Sequence, residues 1–351
     1  MENHPFEALL PDNEELYTEW IQLTWALDRK FTDFHTPPPS DVNAHRRAVK
    51  ATRRKISHIM RKRFSGAIVS LYGTFPLGLV QRQPANDYPV VHMSLDIPAL
   101  LQQDVPLNDE EIASKSKRFL FQALHVLQRR QHQDVIHLKA YPGAPTPFLI
   151  GTYGYEGSFV HFELAITTRN SAEENTALLE RYIRLDLRVK KLLQLILLWS
   201  ETVPYKQSST IGPYTCLTMG IHYLIWIGFV PDLREQPDPM MLRSKSRPSL
   251  HHLSPVALLY GFFRFYAHFP WSSRIVGLSL GEEHDAESFA GSILQMDDFA
   301  NTEQCLVQDV SLVQESMEEN QAYWESLVLK REPAQTDRLW LPKPPASILT
   351  K

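Results

Sequence analysis

Cysteine is almost absent from this chain: 351 residues contain two, Cys216 and Cys305. Both stand among apolar neighbours, so neither a disulfide framework nor a CxxC metal motif can be built. Two buried thiols fit a reducing, intracellular compartment, nucleus or cytoplasm. Long hydrophobic runs are missing too. The longest, Cys216 to Val230, is interrupted by Thr218, Gly220, His222 and Gly228. It is too short and too broken to span a bilayer and reads as a core helix, so no membrane is expected among the partners. The polar, acidic N-terminus does not read as a signal peptide. A large charge of one sign is also lacking. The net charge is −4, so affinity for nucleic acid has to come from local patches. Neither a GxxxxGKS/T loop nor a GxGxxG fingerprint occurs, and no internal repeat is visible.

What the chain does have is 43% hydrophobic and 11% aromatic residues, enough to bury a sizeable core, and a length that suits two domains. Leu16, Trp20, Leu23, Trp25, Leu27 and Phe31 recur at near-helical spacing between Asn13 and Phe34. Pro37-Pro38-Pro39-Ser40-Asp41 then breaks the chain and offers an N-cap. A helix follows from about Asp41 to Phe64, carrying Arg46, Arg47, Lys50, Arg53, Arg54, Lys55, Arg61, Lys62 and Arg63 with no acid between them. These side chains cannot pair within the helix and wrap most of its circumference, leaving Val49, Ile56, Ile59 and Met60 as the buried stripe. The helix offers either a track for an RNA backbone or a dock for an acidic protein.

Ala67 to Tyr72 and Tyr88 to Leu95 read as strands, the latter with Val90, Val91, Met93 and Leu95 apolar. Asp109 to Gln131 reads as an amphipathic helix, and Val135 to Ala140 and Phe159 to Thr167 as further strands. This alternation predicts a mixed α/β domain. After residue 170 the character turns helical. Thr176 to Glu201 reads as one long helix, Tyr214 to Gly228 as another and Pro255 to Ala267 as an aromatic-rich third. Pro231 to Pro255, with five prolines, reads as a loop, and the acidic stretch Gly281 to Gln304 as mobile. The last twenty residues read as an extended tail whose Trp340 can dock on the body or on a partner. The expected domains are an N-terminal helix packing on the helical domain (1–40), an α/β domain (41–172), a helical domain (173–330) and the tail (331–351). His92 and the pair His251-His252 lack the spacing of a metal site.

A helix feeding Leu71-Tyr72-Gly73-Thr74-Phe75-Pro76-Leu77-Gly78-Leu79, then a strand, resembles the opening of the polymerase-β-like nucleotidyltransferase fold. Further pieces follow in order: Phe162-Glu163-Leu164-Ala165, Asn175-Thr176 with Tyr182, Leu185-Asp186, Arg188 and Trp199, Ile211 to Ile225, Phe229-Val230-Pro231-Asp232-Leu233, Leu258 to Ala267, and Cys305-Leu306 to Asp309. Over roughly residues 15 to 330 the chain is similar to the noncanonical poly(A) polymerases and terminal uridylyltransferases. The fold class this implies is α+β: a nucleotidyltransferase domain with a mixed sheet and flanking helices, plus a mainly helical central and poly(A)-polymerase-associated domain.

The resemblance implies a site as well. The family's chemistry needs three carboxylates holding two metal ions. Counted without gaps, Ala85 replaces the first, Asp87 fits the second, and Glu163 stands for the third. A short insertion would make Asp87 the first and put Pro89 at the second; a longer one would use Ser94-Leu95-Asp96. The two basic residues that grip the triphosphate are replaced by Leu197 and Glu201, a loss of about 1.5–3 kcal/mol for each charge-assisted bond. Pro213 stands at the sugar-contacting helix start. Gly73 and Thr74 remain at the phosphate turn, Asn175 at a sugar-contacting place and Tyr214 at the base-stacking place. The implied function is a catalytically degenerate relative that serves as a binding or scaffolding subunit of an RNA-processing or RNA-silencing complex. Its partners would be the protein subunits of that complex, with RNA held through the basic helix. No cofactor is expected unless the site is active, in which case Mg2+ or Mn2+ is needed. An active RNA 3′-terminal nucleotidyltransferase and a purely protein-binding module are the rival readings.

Overall fold

The structure is a computed structural model. It describes residues 39–79, 90–98, 109–129, 134–144, 146–167, 171–200, 213–233, 252–269, 294–296 and 305–307, with parts of 18–29 and 317–322. The chain divides into two compact units, residues 35–177, and residues 1–34 together with 178–351.

In residues 35–177, helix α1 (Pro39–Arg63) leads into β1 (Ile68–Leu71), β2 (Val91–Asp96), α2 (Asp109–Leu127), β3 (Val135–Tyr141), β4 (Phe148–Tyr155) and β5 (Ser158–Thr167). The sheet order is β1-β2-β5-β4-β3. Strands β2 and β5 run parallel and the other neighbours antiparallel. One face of this sheet is the core. Met93 and Leu95 of β2, Leu149 of β4, and Phe162 and Leu164 of β5 are buried against Ile56, Ile59 and Met60 of α1 and Leu120 and Leu127 of α2. Each such side chain contributes about 1.5–3 kcal/mol by leaving water. Period-two alternation then fixes the other face. With 93 and 95 turned into the core, His92, Ser94 and Asp96 share the opposite side with Glu163.

Strand β4 has no counterpart in the sequence-based expectation. Its segment, Phe148-Leu149-Ile150-Gly151-Thr152-Tyr153-Gly154-Tyr155, is diluted by two glycines, which are depleted in strands. Gly151 is there for space. A Cβ on it would lie 2.7 Å from Phe162 Cζ and 2.8 Å from Leu138 Cδ2. Strand β3 lies at the sheet edge and changes register between Ile136 and Lys139, where His137 takes φ 54.

Helix α3 (Ser171–Leu185) carries Glu173 and Glu174 in its first turn, where acids complement the helix dipole. The single long helix expected from Thr176 to Glu201 is two helices, α3 and α4 (Leu187–Ser200). The break has a local cause. Asp186 Oδ1 accepts the Arg188 backbone N–H at 2.8 Å and the Arg188 guanidinium pairs with Asp186 Oδ2 at 2.6 Å, which caps a new helix start.

In the second unit, α4 packs with α5 (Pro213–Trp226) and α6 (Pro255–Ala267) around Trp199, Tyr223, Phe262, Phe263 and Tyr266. Ser254 caps α6 by accepting from the Ala257 N–H at 3.0 Å. The Tyr266 hydroxyl donates to Met219 O at 2.9 Å and meets His222 Nδ1 at 3.0 Å. Burial pushes the His222 imidazole down to about 4, so it is neutral at ordinary pH. The described residues between 18 and 29 are helical. Trp25 Nε1 donates to His252 O at 2.9 Å, and Asp28 pairs with Lys191 at 3.0 Å. Strands β6 (Leu294–Met296) and β7 (Cys305–Val307) pair antiparallel and are the last strands among the described residues. Strand β6 falls inside the acidic stretch expected to be mobile. Residues 331–351 and Trp340 lie outside the described residues. Among the described residues no helix is long and apolar enough to cross a membrane.

Candidate functional site

The polar face of β2 and β5 is assembled by register. Tyr72 follows β1 and its N–H donates to His92 O at 3.1 Å, which sets its ring 5.7 Å from the imidazole. Across the parallel ladder His92 is paired with Glu163, Ser94 with Ala165 and Asp96 with Thr167. Glu163 Oε1 therefore receives two neighbours at once: the Tyr72 hydroxyl at 3.4 Å and His92 Nδ1 at 3.4 Å. Burial first, then the charge and hydrogen bond of Glu163, push the Tyr72 phenol above its ordinary range, so it stays protonated as a donor.

A second cluster lies along the same face. Ser94 donates to Glu173 Oε1. Asp96 Oδ1, Thr167 Oγ1 and Glu173 Oε2 are buried without a hydrogen-bond partner among the described residues. Burial, and then the Glu173 charge, raise the Asp96 carboxyl above its usual range.

The glycine turn meets α3. Gly73 takes φ 78, a left-handed value that glycine adopts without strain. Its N–H donates to Thr176 Oγ1 at 3.0 Å, so the amide at the phosphate turn already has an acceptor within the fold. Thr74 O closes the turn by accepting from the Leu79 N–H at 3.1 Å. Asn175, the neighbour of Thr176, is buried. Tyr214 belongs to the other unit, at the start of α5, where its carbonyl accepts from Thr218 Oγ1 at 3.1 Å. Leu197 is buried in α4. Ala85, Asp87 and Glu201 lie outside the described residues.

The structure thus brings together Gly73, Thr74, Glu163 and Asn175 on neighbouring elements, sets Ser94 and Asp96 of the longer-insertion register on the same face as Glu163, and adds four residues that had no site role in the sequence: Tyr72, His92, Glu173 and Thr176. One signal for them was present. The alternation Val91-His92-Met93-Ser94-Leu95-Asp96 puts 92, 94 and 96 on one side. What the sequence did not contain was the register, which sets His92 opposite Glu163.

Two divalent ions in a phosphoryl-transfer site require a set of carboxylates that bridge them. The described part of this face offers Glu163 flanked by an imidazole and a hydroxyl, with Asp96 and Glu173 one step along. That donor set does not fit such a pair of ions, and no group of three or more histidines, cysteines or acids able to hold a metal occurs among the described residues.

On α1, Arg46, Arg47, Lys50, Arg53, Arg54, Arg61, Lys62 and Arg63 are exposed, whereas Lys55 is half-buried and pairs with Asp134 at 3.4 Å. Arg61 donates to Ala67 O at 3.3 Å and Arg63 to Gln122 at 2.9 Å.

No family model matches the sequence, and no curated protein matches it. Solved structures do. The chain is similar to the Cid1 poly(U) polymerase bound to MgGTP, with a TM-score of 0.67 at 18% identity over 93% of this chain and 99% of that one. It is similar to the GLD-2/RNP-8 complex, with a TM-score of 0.62 at 16% identity over 92% and 98%. It also resembles mtPAP in complex with UTP, with a TM-score of 0.65 at 14% identity over 92% of this chain and 74% of that one. The mixed five-stranded sheet, its two covering helices and the glycine turn leading to the polar face are therefore the polymerase-β-like nucleotidyltransferase fold, in the form shared by the noncanonical poly(A) and poly(U) polymerases.

Proposed function

We propose that the chain is a catalytically degenerate nucleotidyltransferase that acts as a binding or scaffolding subunit of an RNA-processing or RNA-silencing assembly. One observation carries the reading: the partner of Glu163 on the adjacent strand is His92, and the next residue of that strand on the same face is Ser94, opposite Ala165. A carboxylate that in a working site would share metal ions is here met by an imidazole nitrogen and a phenol. The Gly73 amide, bonded to Thr176, is committed to the fold. The loss of the triphosphate-gripping bases at 197 and 201 points the same way. GLD-2 is seen in complex with RNP-8, and a subunit role would likewise give this chain a protein partner, in nucleus or cytoplasm.

A second reading is favoured by one feature, the unpartnered oxygens of Asp96 and Glu173. It is an active RNA 3′-terminal nucleotidyltransferase that uses Asp87 or Asp96 with Glu163 and needs Mg2+ or Mn2+. A primer-extension assay separates the two. Labelled single-stranded RNA is mixed with each nucleoside triphosphate and magnesium or manganese, beside Glu163→Ala. The proposal expects no extension by the folded protein. Extension by the wild type that Glu163→Ala abolishes overturns it, as does tight magnesium-dependent binding of a nucleoside triphosphate.

A further inference from the structure

Helix α1 separates its two faces more sharply than its sequence suggests. Ala48, Val49, Thr52, Ile56, Ile59 and Met60 are buried on one side. At about 100° per residue, Arg46, Arg47, Lys50, Arg53, Arg54 and Arg61 fall within roughly 120° of one another on the other side, along a stripe about 22 Å long. All six are exposed. The bases that make structural contacts lie elsewhere: Lys55 beside Asp134 and Arg63 beside Gln122. Of the six, only Arg61 has a hydrogen bond among the described residues, to a backbone carbonyl that leaves its charge unneutralised.

We infer that this stripe is a docking surface for the phosphate backbone of single-stranded RNA. Five of the six residues are arginines, whose planar forks match phosphate oxygens two at a time. The residues between them on the same side, Asn43, Ser57 and His58, are polar. A protein partner draws most of its affinity from buried apolar or aromatic anchors, and the stripe offers none. A polyphosphate needs none, because release of its counterions drives the association. The helix carries nine bases and Asp41, while the whole chain has a net charge of −4, so the rest of the chain is acidic and the potential is concentrated on α1. The inference rests on reading the chain as an RNA-handling subunit, but it uses no residue of the polar face, so binding and nucleotide transfer fail independently.

The test is fluorescence anisotropy with a labelled twenty-nucleotide single-stranded RNA and the full chain, from 50 to 200 mM salt. With about five phosphates engaged, log K falls with log salt at a slope of roughly −3.5. The triple reversal Arg46→Glu/Arg53→Glu/Arg54→Glu is expected to weaken binding at least a hundredfold at 100 mM salt and to flatten the slope by about 2. A control with the same change in net charge, Lys117→Glu/Arg118→Glu/Arg129→Glu, places the reversals on and just beyond α2, off the basic helix, and is expected to stay within about threefold of wild type. Circular dichroism confirms that both variants are folded. Equal weakening by the two triples overturns the inference, because the effect would then belong to net charge and not to the stripe. Unchanged binding by the stripe variant overturns it too. A polyglutamate peptide or a duplex RNA bound as tightly as the single strand would replace it with an acidic-protein or duplex site.

Discussion

Replacing Asp96 by asparagine is expected to stabilise the protein at neutral pH. Asp96 Oδ1 and Glu173 Oε2 are both buried without partners among the described residues, and burial followed by the Glu173 charge raises the Asp96 carboxyl above its usual range. A buried acceptor left unsatisfied costs about 1–3 kcal/mol. An asparagine amide removes one of the two negative charges and gives Glu173 a donor. A gain of about 1–2 kcal/mol follows, or about 1–2 °C in melting temperature per kcal/mol for a chain of 351 residues. The pH dependence has a definite sign. A carboxyl whose folded-state value is raised contributes stability that is fully present below its unfolded value and is lost as pH rises through the folded one. The advantage of the variant should therefore be full at pH 7, shrink as pH falls through the raised Asp96 range, and vanish below the ordinary carboxylate value. Paired thermal melts of wild type and variant from pH 4 to pH 8 test this. A variant that is less stable at pH 7, or one whose advantage does not change with pH, refutes the reasoning.

Converting His92 and Ser94 to aspartate should set carboxylates around Glu163 and create affinity for divalent ions. Magnesium or manganese should then raise the melting temperature of the double variant and not that of wild type, the added stability being about 2.7 kcal/mol at a hundredfold excess over Kd; equal shifts for both proteins would refute it. Gly151→Ala should cost about 1–3 kcal/mol in urea titrations, because the ring of Phe162 has nowhere to move, while Gly154→Ala, whose Cβ would sit 3.7 Å from Phe159, should be near neutral. Tyr266→Phe should cost about 1–3 kcal/mol by leaving Met219 O and His222 Nδ1 without their partner. Because the folded His222 value is depressed from 6.5 to about 4, wild-type stability should fall as pH drops through that window, and a His222→Phe variant should lack that part of the decline in acid melts.

The fold was legible because its signals are local. Met93 and Leu95 alternate with polar residues, α1 has its apolar stripe, and Gly73 and Gly78 mark the turn before β2. Strand β4 was not, since Gly151 and Gly154 erase its apolar pattern for the sake of the neighbouring ring and strand. The break at Asp186 was hidden because Tyr182, Leu185 and Val189, spaced three and four apart, continue the helical period across it. The polar face was only half legible. Which side of β2 is polar follows from alternation, but the meeting of His92 with Glu163 arises from a parallel pairing of strands some seventy residues apart, and no spacing rule reaches that far.

The irregular edge strand β3 has one more consequence. Its register shift and the left-handed His137 interrupt the row of backbone donors and acceptors that an open sheet edge presents. A further strand laid along it, whether from a second copy or from a partner's extended segment, would lose its ladder after two residues. Assembly by sheet extension is therefore closed to this chain on that side. Whatever binds this unit there has to recognise side chains rather than a row of backbone groups.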